Sequence, residues 1–250
     1  MSDFSCFLVP DWPAPAQVGA LSTTRGGGVS APPYGSLNLG DHVGDAPAAV
    51  AENRRRLVAA LPAPPCWLRQ VHGTEVVDAA RAAVDCEADA AFTRTPAAVC
   101  LIMTADCLPV LFCDRAGTVV AAAHAGWRGL AAGVLEATLH SMAVAPGDVL
   151  AWLGPAIGPA AFEVGDEVRE TFVAGDPAAV SAFRVHSAGK WRADLFLLAR
   201  QRLLRAGVTA VYGGGVCTFR DSERFFSHRR DRQTGRMATA IWLRSTPGQA

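Results

Sequence analysis

The chain has 250 residues, half of them apolar, and its 23 basic and 23 acidic side chains leave a formal net charge of zero. That length is enough for one large domain with a sizeable core, and balanced charge supplies no long-range field toward nucleic acid or an acidic membrane surface. The most apolar run, 97–113, is broken by Asp106 and Pro109 and is too short to span a bilayer. Nucleic acid and membrane are therefore not expected partners.

The opening stretch Met1–Cys6 lacks a basic segment followed by an apolar one, the pattern of a secretory leader. Seven cysteines, an odd count with no CxxC pair, argue for reduced thiols rather than a disulfide framework. The expected location is the cytoplasm. Lys190 is the sole lysine, a bias that a GC-rich bacterial genome produces without functional cause.

In chain order, residues 18–24 predict a strand leading into Arg25-Gly26-Gly27-Gly28, a turn suited to positive φ. Residues 32–45 form a loop rich in Gly, Pro and Asn. A helix follows over 47–61, with Asp45 or Ala46 at its cap and Pro62 beyond its end. Residues 66–79 predict strand, turn at Gly73, and strand. Short apolar runs at 99–104, 109–113 and 119–125 predict strands, the last two joined as a hairpin by Asp114-Arg115-Ala116-Gly117.

Helices are expected over 130–142, 165–173 and 194–206, the last with Asp194 as cap and Gly207 past its end. Strands at 149–153, 208–212 and 237–243 complete the set. Hairpins mixed with helices favour an α+β or mixed α/β sandwich over a doubly wound parallel sheet. The glycine runs 26–28 and 213–215 do not fit GxGxxG between strand and helix, and no P-loop is present, which argues against a dinucleotide or NTP site. No repeat or long linker divides the chain, so a single domain over 1–250 is expected.

Three residues stand out chemically: His72 in Arg69-Gln70-Val71-His72-Gly73, Cys107 in Thr104-Ala105-Asp106-Cys107-Leu108-Pro109, and His124 in Ala123-His124-Ala125-Gly126-Trp127-Arg128-Gly129. Two imidazoles and a thiolate form a ligand set for zinc, and three protein ligands leave a fourth position for water or substrate. Their spacing is not that of a zinc finger, so the fold must assemble them. Each also has a plain alternative: free cysteine is commonly a small buried hydrophobe, and lone histidines are commonly core or loop residues. The carboxylate and proline beside Cys107, and the glycines and arginine beside His124, weigh against those alternatives.

Arg25, next to three glycines, is a candidate for binding phosphate or carboxylate, with an exposed turn arginine as the equal alternative. Asn38 and His42 either line a pocket or stabilise an Asx-rich loop. Arg128 supplies a cation near a helix start. His140 falls within a helix and reads as ordinary. His228 lies in the charged run Ser227-His228-Arg229-Arg230-Asp231-Arg232, a solvated tip or an anion-binding edge.

Several strings together resemble a known family: 22–30, Leu37-Asn38-Leu39-Gly40, 69–73, 105–110, His124-Ala125-Gly126-Trp127-Arg128-Gly129, Gly154-Pro155-Ala156-Ile157-Gly158 and the segment 217–236. The chain is identified as a member of the YfiH-type family, historically labelled polyphenol oxidase or laccase domain and, in bacteria, peptidoglycan editing factor. The resemblance runs in order from about 18 to 243. It implies a single-domain layered α-β-β-α sandwich with mixed sheets, related to cysteine-hydrolase folds, and a zinc ion on His72, Cys107 and His124. It also implies phosphorolysis of purine nucleosides (adenosine, inosine, guanosine, methylthioadenosine), adenosine deamination, or removal of misincorporated serine from a muropeptide precursor.

For deamination, zinc would make hydroxide available to attack C6 of adenine, with Asp106 the nearest proton shuttle. For phosphorolysis, Arg25 and Arg128 are the expected holders of phosphate, with Asn38 and Gln70 as further substrate-binding residues. A metal-free hydrolase with Cys107 as nucleophile and His124 as base uses the same side chains. Copper oxidation fits less well, because a laccase needs roughly ten histidine ligands and this chain has six. A non-enzymatic binding module accords least with an open three-ligand site. The expected partners are a nucleoside and phosphate, acting on a monomer or a homodimer.

Overall fold

The structure, a computed structural model, describes residues 7–245, so the stretch Met1–Cys6, on which the expectation about a secretory leader rests, lies outside the described residues. In chain order the strands are β1 (Phe7–Leu8), β2 (Val18–Thr23), β3 (Val76–Asp78), β4 (Ala90–Thr93), β5 (Val99–Thr104), β6 (Leu108–Asp114) and β7 (Val120–Ala125). They continue with β8 (Val149–Leu153), β9 (Glu163–Gly165), β10 (Phe183–Ser187), β11 (Lys190–Ala193), β12 (Ala210–Gly213) and β13 (Met237–Leu243). The helices are α1 (Pro47–Val58), α2 (Trp127–Ala132), α3 (Val134–Met142), α4 (Asp166–Gly175), α5 (Leu195–Arg205) and α6 (His228–Asp231).

Alternation along two buried strands sets the layers. In β6, Leu108, Val110 and Phe112 face one side and Leu111 and Cys113 the other, all of them sealed from solvent. In β5, Cys100 and Ile102 face β6's second side, while Val99, Leu101 and Met103 face away. A strand apolar on both faces must lie between two layers. The six-stranded sheet β12-β8-β6-β7-β4-β3 therefore packs on the four-stranded sheet β1-β2-β13-β5. Helices α2 to α5 cover the outer face of the first sheet, and Leu57 of α1 packs on the outer face of the second. This is the expected α-β-β-α sandwich. Each fully buried aliphatic or aromatic side chain contributes about 1.5–3 kcal/mol relative to exposure.

The larger sheet is antiparallel at its centre and parallel at both edges, β12 with β8 and β3 with β4. The smaller of the two is antiparallel throughout. β7 reads Val-Ala-Ala-Ala-His-Ala, a poor strand by propensity. It is a strand because β4 and β6 pair with it on both sides, and small side chains let layers close over it.

Four differences from the sequence reading have physical causes. The helix expected over 130–142 starts earlier and is broken at Gly133, whose φ of 105° ends α2 and starts α3. Within 66–79, only β3 is a strand; Cys66 and Arg69 make isolated bridges to Cys100 and Glu87. The sheet β10-β11-β9 was not expected, since its strands are short and β10 is largely exposed. The strand expected over 208–212 is β12, which starts at Ala210, with Val208 buried in the core ahead of it. No helix among the described residues is long and apolar enough to cross a membrane.

Candidate metal centre and its cavity

The facing sheets leave a mouth at one end, where β5 stops, β6 begins and β7 ends. Cys107 sits in the three-residue link between β5 and β6. Its neighbour Asp106 has φ of 88°, a left-handed conformation that costs an L-residue about 1–2 kcal/mol. Hydrogen bonds offset that strain: Asp106 accepts from the Thr218 hydroxyl at 2.7 Å, the Ser227 hydroxyl at 3.0 Å and the Arg229 amide at 2.7 Å. The bend that results turns Cys107 into the mouth.

His124 is the penultimate residue of β7 and is buried. Its Nδ1–H donates to Asp89 Oδ1 at 2.7 Å, which leaves Nε2 as the nitrogen that a metal ion would take in place of its proton. The same carboxylate, fully buried just before β4, accepts the backbone amides of Val71 at 3.0 Å, His72 at 2.9 Å and Gly73 at 2.6 Å. Asp89 thus fixes the ring of one histidine and the loop that carries the other. His72 has φ of 62°, held by those amide bonds.

Together these constraints bring the donors to one point. The ligand atoms of His72, Cys107 and His124 all lie within 4.8 Å of one another, and Cys107 Sγ is 3.9 Å from His72 Nε2. The imidazole rings meet edge to face with centroids 4.7 Å apart. A tetrahedral ion with bonds of about 2.0–2.3 Å draws its ligand atoms to roughly 3.3–3.6 Å, a small contraction from this geometry. The donor set, the fixed tautomer and the carboxylate behind it fit a metal ion.

The small residues nearby are required by distance. A Cβ on Gly126 would lie 2.9 Å from the His72 ring and 3.0 Å from Cys107 Sγ, and one on Gly129 2.9 Å from the Gly73 carbonyl. Burial would raise the Cys107 thiol, but the charges and hydrogen bonds of His124 and His72 bring it down to about 6. Burial likewise opposes charge on His124, while the Cys107 thiolate and Asp89 outweigh it and raise the imidazole to about 9. Burial would raise Asp89 too; its bonds to His124, Gly73 and Val71 hold it below the ordinary range.

The cluster opens onto a cavity of about 760 Å³, within the range of small-molecule sites. Gln70 lines it, with both ends of its amide bonded to the backbone of Met103 at 2.8 Å. Arg128 lines it with its guanidinium over the Trp127 ring at 4.5 Å. His42 and His228 are also on the wall.

Three expected site residues do not line it. Asp106, read as a proton shuttle, has its carboxylate occupied by Thr218, Ser227 and Arg229, so its place is structural. Arg25, read as a phosphate holder, donates to the carbonyls of Gly35 at 3.0 Å and Ser222 at 2.9 Å and stacks on Phe226. Asn38 is fully buried, donating to the Gly40 carbonyl and Asp45 and accepting from the amides of Gly40 and Arg236. It is the loop-stabilising residue of its two readings.

Sequence reasoning missed Asp89, Arg54, Trp67 and Arg236. Asp89 had one visible signal, a carboxylate set within the small apolar run 88–92, since buried charges are rare unless they have partners. Arg54 stacks on Trp67 at 4.0 Å and pairs with Asp41 at 3.0 Å, and all three line the cavity.

A layered α-β-β-α sandwich with one His-Cys-His cluster at the mouth between its sheets defines the class. The chain belongs to the family described as multi-copper polyphenol oxidoreductase laccase, whose model matches residues 19–244. It is 61% identical to a purine nucleoside phosphorylase of Pseudomonas aeruginosa, over 96% of this chain and 99% of the relative. It is 59% identical to purine nucleoside phosphorylase YfiH of Escherichia coli, again over 96% and 99%. A crystal structure of a Neisseria meningitidis protein superposes with a TM-score of 0.94 at 54% identity, covering 96% of this chain and all of that one.

Proposed function

We propose that this protein is a zinc-dependent purine nucleoside phosphorylase working in the cytoplasm. The observation that carries the reading is a His-Cys-His cluster, oriented by Asp89, that opens onto a cavity of small-molecule size. The names of relatives near 60% identity support it. Copper oxidation has less support, because His72-Cys107-His124 is the one such cluster among the described residues and a laccase needs several copper centres.

In phosphorolysis, a phosphate oxygen bonds to C1′ of the ribose and the C1′–N9 bond breaks. The bonding pair leaves with the purine, which takes up a proton, and the sugar departs as its 1-phosphate. His72, Cys107 and His124 would hold the zinc ion, which when bound supplies Lewis-acid charge at an open coordination position. Asp89 keeps the His124 tautomer and holds both histidines in place. Trp67, backed by Arg54, offers an aromatic face of the kind on which purine bases stack. Arg128 brings a cation to the same wall. Gln70, both ends of whose amide are bonded to Met103, shapes the wall.

The test is hypoxanthine release from inosine by zinc-replete protein, with and without inorganic phosphate. Release that requires phosphate is expected. Release at the same rate without phosphate, or none with it, would overturn the reading.

A further inference from the structure

We infer that Arg236 forms the subsite for the oxyanion of inorganic phosphate in this cavity. The identification of the anion rests on the phosphorylase reading; the existence of an anion site rests on the geometry alone.

Four arginines line the cavity, and they differ in what neutralises them. Arg54 pairs with Asp41 and Arg69 with Glu87, each at 3.0 Å. Arg128 is exposed and lies on Trp127. Arg236 is half-buried and has no carboxylate within ion-pairing distance among the described residues. A cation withdrawn from water without a counter-charge is costly, so its retention on a cavity wall points to a ligand that brings the charge. The negative groups whose charge reaches it, Cys107 and Asp106, are committed elsewhere. One belongs to the metal cluster, and the other accepts three hydrogen bonds.

The side chain is also built into position. Its backbone amide donates to Asn38 Oδ1 at 2.9 Å, and its carbonyl accepts from Leu39 at 3.2 Å. Its stem lies on Gly40, where a Cβ would come within 2.8 Å of Arg236 Cγ. Nη1 donates to the carbonyls of Thr234 and Gly235, both at 3.1 Å. Nε and Nη2 have no protein acceptor among the described residues. Those two nitrogens form the edge of a guanidinium that presents parallel N–H groups, the match for two oxygens of a phosphate. The string Leu37-Asn38-Leu39-Gly40 thus holds Arg236 from behind through Asn38 Oδ1, the Leu39 amide and Gly40.

The experiment compares wild type with Arg236→Met, whose side chain keeps the stem on Gly40 and removes the fork. Inorganic phosphate is titrated calorimetrically into zinc-replete protein, and KM is measured separately for phosphate and inosine. The expected result is phosphate binding weakened about ten- to hundredfold, a matching rise in the phosphate KM, and unchanged zinc content and inosine KM. Unchanged phosphate affinity in folded, zinc-replete Arg236→Met overturns the inference.

A second arm uses wild type alone. Phenylglyoxal modification of Arg236, followed by mass spectrometry, should slow when inorganic phosphate is added. Equal rates with and without phosphate overturn the inference even if the variant fails to fold. The two readings separate cleanly. Protection of Arg236 without inosine cleavage sinks the phosphorylase reading and leaves the anion site, whereas phosphate-dependent cleavage without protection does the reverse.

Discussion

Asp89 accepts the Nδ1–H of His124 at 2.7 Å, and the same carboxylate gathers three consecutive backbone amides around His72. One buried side chain therefore sets both imidazoles of the cluster. Asp89→Asn keeps the volume and removes the charge, so the His124 ring loses its charged acceptor and the new NH2 faces the amides of Val71 and Gly73 that donated to Oδ2. Loss of such a partner typically weakens metal affinity about 10–100-fold. Competition with a chromogenic zinc chelator measures it. Wild-type affinity in a folded Asp89→Asn protein would contradict this role.

Gly126 tests the packing of the cluster without touching a ligand. Its φ of −62° suits any residue, so alanine there meets no backbone strain. The added Cβ does meet the His72 ring and Cys107 Sγ, at 2.9 and 3.0 Å. Gly126→Ala should therefore lower zinc content at saturation while leaving the far-ultraviolet circular dichroism unchanged. Full zinc occupancy with native affinity would show that the cluster has slack which the distances deny.

Asn53 sits in α1 and reaches no ligand, yet it ties together the loop that carries Asn38, whose Oδ1 holds the Arg236 amide. Fully buried, it donates to the Ser30 hydroxyl and to the carbonyls of Ser36 and Asn38, and accepts from the Val29 amide. Asn53→Ala leaves several of these groups without partners, at a cost of about 2–4 kcal/mol. Urea unfolding reads that loss. Zinc stoichiometry at low temperature should stay at the wild-type value, since none of these bonds involves the three ligands.

The thiols predict a selective labelling pattern in the metal-free protein. Burial pushes Cys66 up to about 11 and Cys113 up to about 12, whereas the two histidines bring Cys107 down to about 6. At pH 7 the Cys107 thiolate is the form present in excess, so iodoacetamide should modify Cys107 ahead of Cys66 and Cys113. Zinc should protect it by occupying the sulfur. Peptide mapping after a short pulse, with and without zinc, gives the order. Activity that survives chelation but disappears on alkylation would favour a cysteine hydrolase over the zinc enzyme.

Much of the frame was legible because burial imposes a period. The runs that became β5, β6 and β7 are apolar on both faces, and the Asp114–Gly117 turn joins two of them as a hairpin with Gly117 at φ of 65°. Asp194 caps α5 by accepting from the Leu197 amide, as its position before the helix suggested. The break at Gly133 was not legible, because small residues on either side continue a helical pattern. The two readings of Arg25 were inseparable for a related reason. A glycine-rich neighbourhood suits anion binding, but it equally lets the chain fold back so that the arginine's donors meet Gly35 and Ser222. Arg236 left no local trace, since what distinguishes it is the lack of a counter-charge in three dimensions.

On this reading, His72, Cys107 and His124, from three separate segments, share one metal ion. Elemental analysis of purified wild type and Cys107→Ala, prepared alike and exchanged into metal-free buffer, tests it most directly. One zinc ion per wild-type chain and none in the variant is the expected result, with both proteins folded. A folded Cys107→Ala protein that keeps a full equivalent of zinc would place the metal elsewhere and contradict it.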